Sequence, residues 1–319
     1  MTSWIHGTVP KKSTYRSGYF QETPEGVFMN KTKEATVVSA FYEMPSKYTL
    51  DTYKVWMKYF LTNTPCHLVF FCEDSMREFI EECRADYMDR TRIIVLPREE
   101  WVANKRFSKS FWDKQFVMDP EKEVHRSSDL YKVWYEKKEF VKRAIELNPF
   151  EHDDFIWMDA GAVRSESFAQ LLTNFPQASR IPTNRILLLN VQQFTKQDNL
   201  VFNFEKGVKI QGVGGRARIG GGVIAASVRM WNQFSKVFDS VFDKYVSANL
   251  FVGKDQTILA TLVLENRRLV SLVEPKPLFG DPWFNLILYL GVNKKHFEMF
   301  NDASKSSVRK SYDELLLIL

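Results

Sequence analysis

One carboxylate in this chain stands where an acid can do chemistry. Phe155-Ile156-Trp157-Met158 is a short apolar run, and it ends on Asp159. In an α/β protein, an acid at the carboxyl end of a buried strand faces the crevice where ligands bind. Its oxygens suit a hard cation such as Mg²⁺ or Mn²⁺ carrying a diphosphate. Ala160 and Gly161 follow, small enough to let a bulky ligand approach the backbone. Arg164, three residues beyond Gly161, has three readings: a phosphate contact, a bidentate partner that orients Asp159, or a surface cation. Asp159 has a plainer alternative too, as the N-cap of a following helix.

Other segments place polar groups with similar economy. Gly220-Gly221-Gly222 opens the apolar run Val223-Ile224-Ala225-Ala226. Glycine weakens a strand, so three together mark a bulge or the close passage of a ligand or another backbone. The glycine-rich, basic stretch 212–218 before it reads as a flap. Gly253-Lys254-Asp255-Gln256 precedes a buried apolar helix. Asp255 is either that helix's cap or a general base, and Lys254 is a candidate phosphate contact. Glu73 and Asp74 end a second apolar strand, and Ser39-Ala40-Phe41-Tyr42 ends a first. Both ends face one crevice in a parallel sheet, with an acid for ribose hydroxyls and an aromatic for a base. The five histidines, His6, His67, His125, His152 and His296, have no close metal-binding spacing. Only His296 is kept as a late metal or phosphate contact.

These residues need a scaffold, and the hydrophobic pattern supplies one. Strands are expected at Ala35–Phe41, Cys66–Cys72, Arg92–Leu96, Phe155–Met158, Arg185–Asn190, Ile219–Ala226 and Arg268–Val273. Helical spacing covers Leu50–Leu61, Ser75–Arg84, Asp129–Leu147, Glu166–Leu172, Val228–Val246 and Lys254–Leu264. Trp101–Ser128 reads as short helix mixed with loop. Apolar strands alternating with helices predict an α/β fold, a mostly parallel central sheet flanked by helices. Residues 1–34 form an irregular arm, 35–300 a single domain and 301–319 a C-terminal helical tail.

Composition narrows the classes. The chain has 319 residues, 45% hydrophobic and 26% charged, enough for one large core. The net charge of +5 is spread out, with no Lys/Arg block that would argue for nucleic acid. No apolar stretch approaches the roughly 20 residues of a membrane helix. The first residues lack a signal-peptide core. Cys66, Cys72 and Cys83 form no C-x-x-C motif, and the expected setting is cytoplasmic.

The same segments resemble the HtrL/YibB-like family of bacterial and viral proteins, regarded as glycosyltransferases with a GT-A-like fold. The resemblance is carried by Val37-Val38-Ser39-Ala40-Phe41-Tyr42 with Pro45-Ser46-Lys47-Tyr48 and Trp56, by Leu130–Lys137, by Asn148–Arg164, by Gly220–Gly222 and by Gly253–Gln256. It spans roughly Ala35 to Glu265 and implies a nucleotide-sugar donor and a divalent metal. The D-x-D of the wider GT-A group is here Asp159-Ala160-Gly161, so the second acid is missing. Metal dependence is therefore an open point.

The implied reaction moves a sugar from a nucleoside diphosphate sugar, a UDP-sugar by preference, to a glycan hydroxyl. Asp159 holds Mn²⁺ or Mg²⁺. Lys254, Arg164 or a lysine of the Lys132–Lys138 stretch, with Lys132 and Lys138 at its ends, meets the leaving diphosphate. Asp255 takes the acceptor proton, or positions the acceptor. Gln256, Ala160, Gly161 and the glycine run border the donor, and Trp283-Phe284 offers a face for a sugar. A catalytically inactive glycan-binding protein and a sugar nucleotidyltransferase are the alternatives.

Overall fold

The computed structural model describes residues 33–194, 217–275 and 281–292, together with 198, 202–203 and 208–209. Ala35–Phe41 (β1), His67–Cys72 (β2), Thr91–Val95 (β3), Asp154–Met158 (β4), Ile186–Asn190 (β5), Ile219–Ser227 (β8) and Val270–Val273 (β9) form one sheet. Its order is β3-β2-β1-β4-β8-β5-β9. Phe202–Asn203 (β6) and Val208–Lys209 (β7) make a separate short ribbon. β1, β2, β3 and β4 run parallel, and β5 pairs in parallel with β9. β8 runs antiparallel to both β4 and β5. The chain builds outward from β1 to β2 and β3, then returns to place β4 on the other flank of β1. This reversal leaves a crevice above the carboxyl ends of β1 and β4.

The helices cover both faces: Leu50–Asn63 (α1), Asp74–Cys83 (α2), Val102–Arg106 (α3), Lys109–Met118 (α4), Lys122–His125 (α5), Asp129–Leu147 (α6), Glu166–Ala169 (α7), Val228–Ser247 (α8), Asp255–Glu265 (α9) and Asn285–Gly291 (α10). Side chains alternate across β4. Phe155 and Trp157 enter a core with Trp101, Trp112, Phe140 and Trp231. Ile156 and Met158 enter the opposite core with Met57, Phe60, Phe70 and Leu286. β4 is therefore buried on both faces, and its carboxyl end meets the crevice at Asp159.

Local chemistry sets the ends of the elements. The Thr49 hydroxyl accepts from Thr52 N–H to start α1, and Asn148 in the left-handed region stops α6. The buried Glu136 accepts from the N–H groups of Val102 and Ala103 at 2.9 Å each and so caps α3 from a distance. Burial pushes its carboxyl up to about 7. Buried Arg84 donates to the carbonyls of Leu61, Thr64 and Cys66 and to the Thr91 hydroxyl, closing the edge where α1, β2 and β3 meet.

Three expectations about elements change in detail. The stretch 101–128 resolves into α3, α4 and α5. The Glu166–Leu172 helix is one α-helical turn followed by a 3₁₀ turn at Gln170–Leu172. The last strand starts at Val270, after a 3₁₀ turn at Arg267–Leu269. Nearly all of the N-terminal arm, the tail 301–319, His296 and most of the 212–218 flap lie outside the described residues.

Candidate functional site

The crevice above β1 and β4 is a cleft of about 1050 Å³. Its floor is the end of β4: Asp159, Ala160 and Gly161. One side is the loop after β1, from Ala40 to Leu50, with Glu73 from the end of β2. The other is the start of β8 with Gly221 and Gly222, and the start of α9 with Asp255 and Gln256. Leu130, Val133, Trp134 and Lys137 descend into it from α6. Their spacing, i, i+3, i+4 and i+7, is one stripe of a helix.

At the centre, one ammonium joins two acids. Lys137 Nζ donates to Asp255 Oδ2 at 2.9 Å, to the Gly221 carbonyl at 2.8 Å and to Asp159 Oδ2 at 3.4 Å, and its charge lies 3.1 Å from Asp159 Oδ1. Trp157 Nε1 donates to the same Asp159 oxygen at 2.7 Å. The Lys137 and Asp255 side chains are only 6% and 4% exposed, whereas Asp159 keeps 33% of its side-chain surface open. Asp159 is thus the face the cluster turns to the cleft. Burial pushes its carboxyl up, Lys137 pulls it back and Asp255 pushes it up again. Burial opposes the Lys137 charge, but the two carboxylates outweigh it and hold the ammonium above the ordinary lysine value.

The antiparallel pairing of β8 explains the glycine run. β8 starts at the edge where β4 ends, with Val223 opposite Met158, and Asp159 N–H donates to the Gly222 carbonyl at 2.8 Å. A Cβ on Gly221 would stand 2.3 Å from Asp255 Oδ2. A Cβ on Gly222 would stand 2.9 Å from the Phe284 ring and 3.4 Å from Asp159 Oδ2. On Gly220 it would meet only the Val191 and Leu189 side chains, at 3.1 Å and beyond. Gly221→Ala should therefore cost about 1–3 kcal/mol and displace Asp255, while Gly220→Ala should cost roughly 1 kcal/mol or less. Urea melts of the two variants check this, and equal melts would remove the close approach as the reason for Gly221.

Gly161 is tight for a different reason. A Cβ there would lie 3.0 Å from the Tyr53 ring and 3.2 Å from Trp56. An acid at that position would require both rings to give by a few tenths of an ångström. In space, the second carboxylate beside Asp159 is Asp255.

The other expected site residues divide. Ala40, Phe41, Tyr42, Glu73, Ala160, Gln256 and Arg164 all border the cleft. Glu73 is paired with Arg98 at 2.8 Å, and Arg98 also reaches the Glu43 carbonyl and Asp129, tying the loops after β1 and β2 to the start of α6. Gln256 Oε1 is buried without a hydrogen-bond partner among the described residues. Arg164 does not pair with Asp159. It lies over the Trp56 and Phe284 rings, with 4.5 and 4.7 Å to their centroids, and reaches Asp281 at 3.3 Å. Trp283 and Phe284 border the cleft, and Phe284 is at the same time buried in the core.

Several expected residues sit elsewhere. Ser39 is buried beneath the floor, its hydroxyl donating to the Met158 carbonyl at 2.7 Å. Asp74 is an exposed first-turn residue of α2. Gly220 is one residue outside the cleft. Lys254 is not part of the cleft lining and pairs with Glu121. Lys132 pairs with Asp129 at 2.8 Å. Lys138 lies on another stripe of α6, over the Tyr135 ring, and pairs with Glu139 and Asp239. The α6 lysine in the cleft is Lys137. The helical spacing from Leu130, Val133 and Trp134 was the signal for it. Lys47, Arg126 and His125 also border the cleft, and of these only Lys47 lies in a segment that carries the resemblance. The capping readings also fall away: no helix starts directly after Asp159, and neither Asp159 nor Asp255 caps a helix with its side chain.

Comparisons with known proteins add the family. No curated protein matches the chain by sequence. Among solved structures, mouse xyloside xylosyltransferase 1 in its apo form is similar, with a TM-score of 0.43 at 12% identity over 82% of this chain and 94% of that one. The 4-diphosphocytidyl-2C-methyl-D-erythritol synthase from Anaerococcus prevotii DSM 20548 gives 0.34 at 11% identity over 86% and 97%. Neither likeness is close enough to transfer an activity. Residues 33–289 match the family described as "Bacterial protein of unknown function (HtrL_YibB)", and the chain belongs to that family.

Proposed function

We propose that the chain is a glycosyltransferase that moves a sugar from a nucleoside diphosphate sugar, preferably a UDP-sugar, to a hydroxyl of a glycan. The observation that carries this is the pair Asp159 and Asp255, held on one buried ammonium at the floor of a cleft at the sheet's switch point. The nucleoside lies over the ends of β1 and β2, between the Phe41–Tyr42 backbone and Glu73. The diphosphate points toward Asp159, within reach of the cleft cations Lys47, Arg126 and Arg164. The sugar lies against Trp283 and Phe284, beside Gln256.

A divalent cation fits this site. Asp159, Asp255 and Lys137 sum to one negative charge, so the cluster alone repels a diphosphate. Asp159 offers open carboxylate surface to the cleft. Magnesium-type sites use one or two carboxylates and complete their shell with phosphate oxygens and water, so the absent D-x-D acid is no obstacle. When bound, such an ion would neutralise charge on the leaving diphosphate. The chain's own residues do the rest. Lys137 fixes both carboxylates in place. Asp255 accepts the proton of the attacking hydroxyl if configuration inverts, and positions that hydroxyl if it is retained.

A nucleotidyltransferase is less well supported, because the loop after β1, Glu43-Met44-Pro45-Ser46, has no glycine-rich phosphate cradle. Thermal-shift measurements with UDP, GDP, CDP and their sugars, each with and without Mn²⁺, test the reading. Stabilisation by UDP with Mn²⁺, and slow release of UDP from a UDP-sugar, are the expected results. Stabilisation by free glycan alone would replace the transferase with a binding protein.

A further inference from the structure

The opposite edge of the sheet carries a second cluster. Glu34 precedes β1, His67 opens β2, and His152 lies two residues before β4. Because these three strands are adjacent and parallel, their amino ends bring the three side chains together. His152 Nε2 lies 3.1 Å from Glu34 Oε2, and His67 Nδ1 lies 3.9 Å from the same oxygen. All three potential ligand atoms lie within 4.8 Å of one another. Tetrahedral zinc, with bonds of about 2.0–2.1 Å, separates its ligands by about 3.4 Å. Side-chain shifts of under about 1 Å per ligand reach that arrangement.

Three further features fit a metal. The other ring nitrogen of His152, Nδ1, is hydrogen-bonded to the Thr36 hydroxyl at 3.0 Å. Such a bond fixes ring orientation and tautomer in metal-binding histidines. The His67 ring packs against the Phe150 and His152 rings, 4.8 Å from each centroid, which holds it beside the other two ligands. Glu34 is 54% exposed, which leaves a path for an ion and a solvent-facing fourth position.

We propose that Glu34, His67 and His152 form a zinc site at the amino edge of the sheet, separate from the cleft. Two imidazoles and one carboxylate favour zinc over magnesium or manganese, which prefer oxygen ligands. The cleft acids have the opposite preference. The bound ion would pin the chain entering β1 to β2 and to the turn before β4.

The test uses the full chain without a histidine tag, stripped with EDTA and then exposed separately to Zn²⁺, Mg²⁺ and Mn²⁺. Metal content is measured after desalting, and melting temperature alongside. The expected result is about one Zn²⁺ per chain with a raised melting temperature, while any Mn²⁺ or Mg²⁺ retained belongs to the cleft and should be lost in Asp159→Asn but kept in His67→Gln. Glu34→Gln and His67→Gln, both at partly exposed positions, should fold normally by circular dichroism and lose the zinc. Thr36→Val should weaken zinc binding about 10–100-fold. Asp159→Asn should keep it, which separates this site from the cleft. Failure of the parent chain to retain zinc would overturn the proposal, as would undiminished retention by His67→Gln.

Discussion

Asp159→Asn should leave the chain folded and remove its turnover. The amide has the shape of the acid and can still accept from the Trp157 indole. Lys137 keeps its bonds to Asp255 and the Gly221 carbonyl. The melting temperature should therefore stay within about 3 °C of the parent, the shift expected for roughly 1 kcal/mol in a chain of this size. The loss is electrostatic. The cluster goes from one negative charge to none, and the open carboxylate that suits a divalent cation is gone. Stabilisation of the leaving diphosphate by such an ion is worth several kcal/mol, so release of UDP should fall roughly a thousandfold or more. The Mn²⁺-dependent part of UDP binding should fall with it. Full activity in this variant would take Asp159 out of the chemistry, and the transferase reading with it.

Lys137→Met should damage the fold as well as the activity. Removing one partner of a buried ion pair leaves charge without compensation and costs about 3–5 kcal/mol. Here the single ammonium serves two carboxylates, so the upper part of that range is expected at neutral pH. The sign of the pH dependence follows from Asp159. Burial already raises its carboxyl, and Lys137 holds it down. Without the lysine it rises further. A carboxyl raised in the folded state stabilises the fold at low pH and loses that contribution as pH rises through the raised value. The deficit of the variant should therefore be greatest at neutral pH and shrink as pH falls toward 5. In the parent, the lysine is itself raised by the two acids. Its contribution is complete below the ordinary lysine value and fades only as pH rises beyond it. Urea melts of both proteins between pH 5 and 8 measure the gap. A deficit under about 1 kcal/mol, or one that does not change with pH, would mean that Lys137 does not compensate these acids.

What could be read from the sequence was local. Phe155–Met158 announced a buried strand ending in an acid, and β4 is buried on both faces with Asp159 at its exit. Gly220–Gly222 announced a close approach, and Gly221 and Gly222 abut Asp255, Phe284 and Asp159. Pairing was not readable. Nothing in Ile219–Ser227 says that it runs antiparallel to β4, yet that orientation sets the glycines beside Asp159. Charge alone does not choose among the neighbouring lysines of α6, whereas helical phase does. Lys137 continues the stripe of Leu130, Val133 and Trp134, and Lys132 and Lys138 lie off it. The histidines were set aside for lack of spacing along the chain. His67 and His152 are 85 positions apart in the sequence and meet because β2 and β4 flank β1.

The packing around Gly161 also constrains how this lineage can change. An aspartate placed there would set its first side-chain carbon 3.0 Å from the Tyr53 ring and 3.2 Å from Trp56, so both rings would have to give by a few tenths of an ångström. Making that room moves Trp56, one of the rings on which Arg164 rests, so an acid here would also loosen the cation beside the cleft. Variation at this position should therefore favour glycine while the two rings persist.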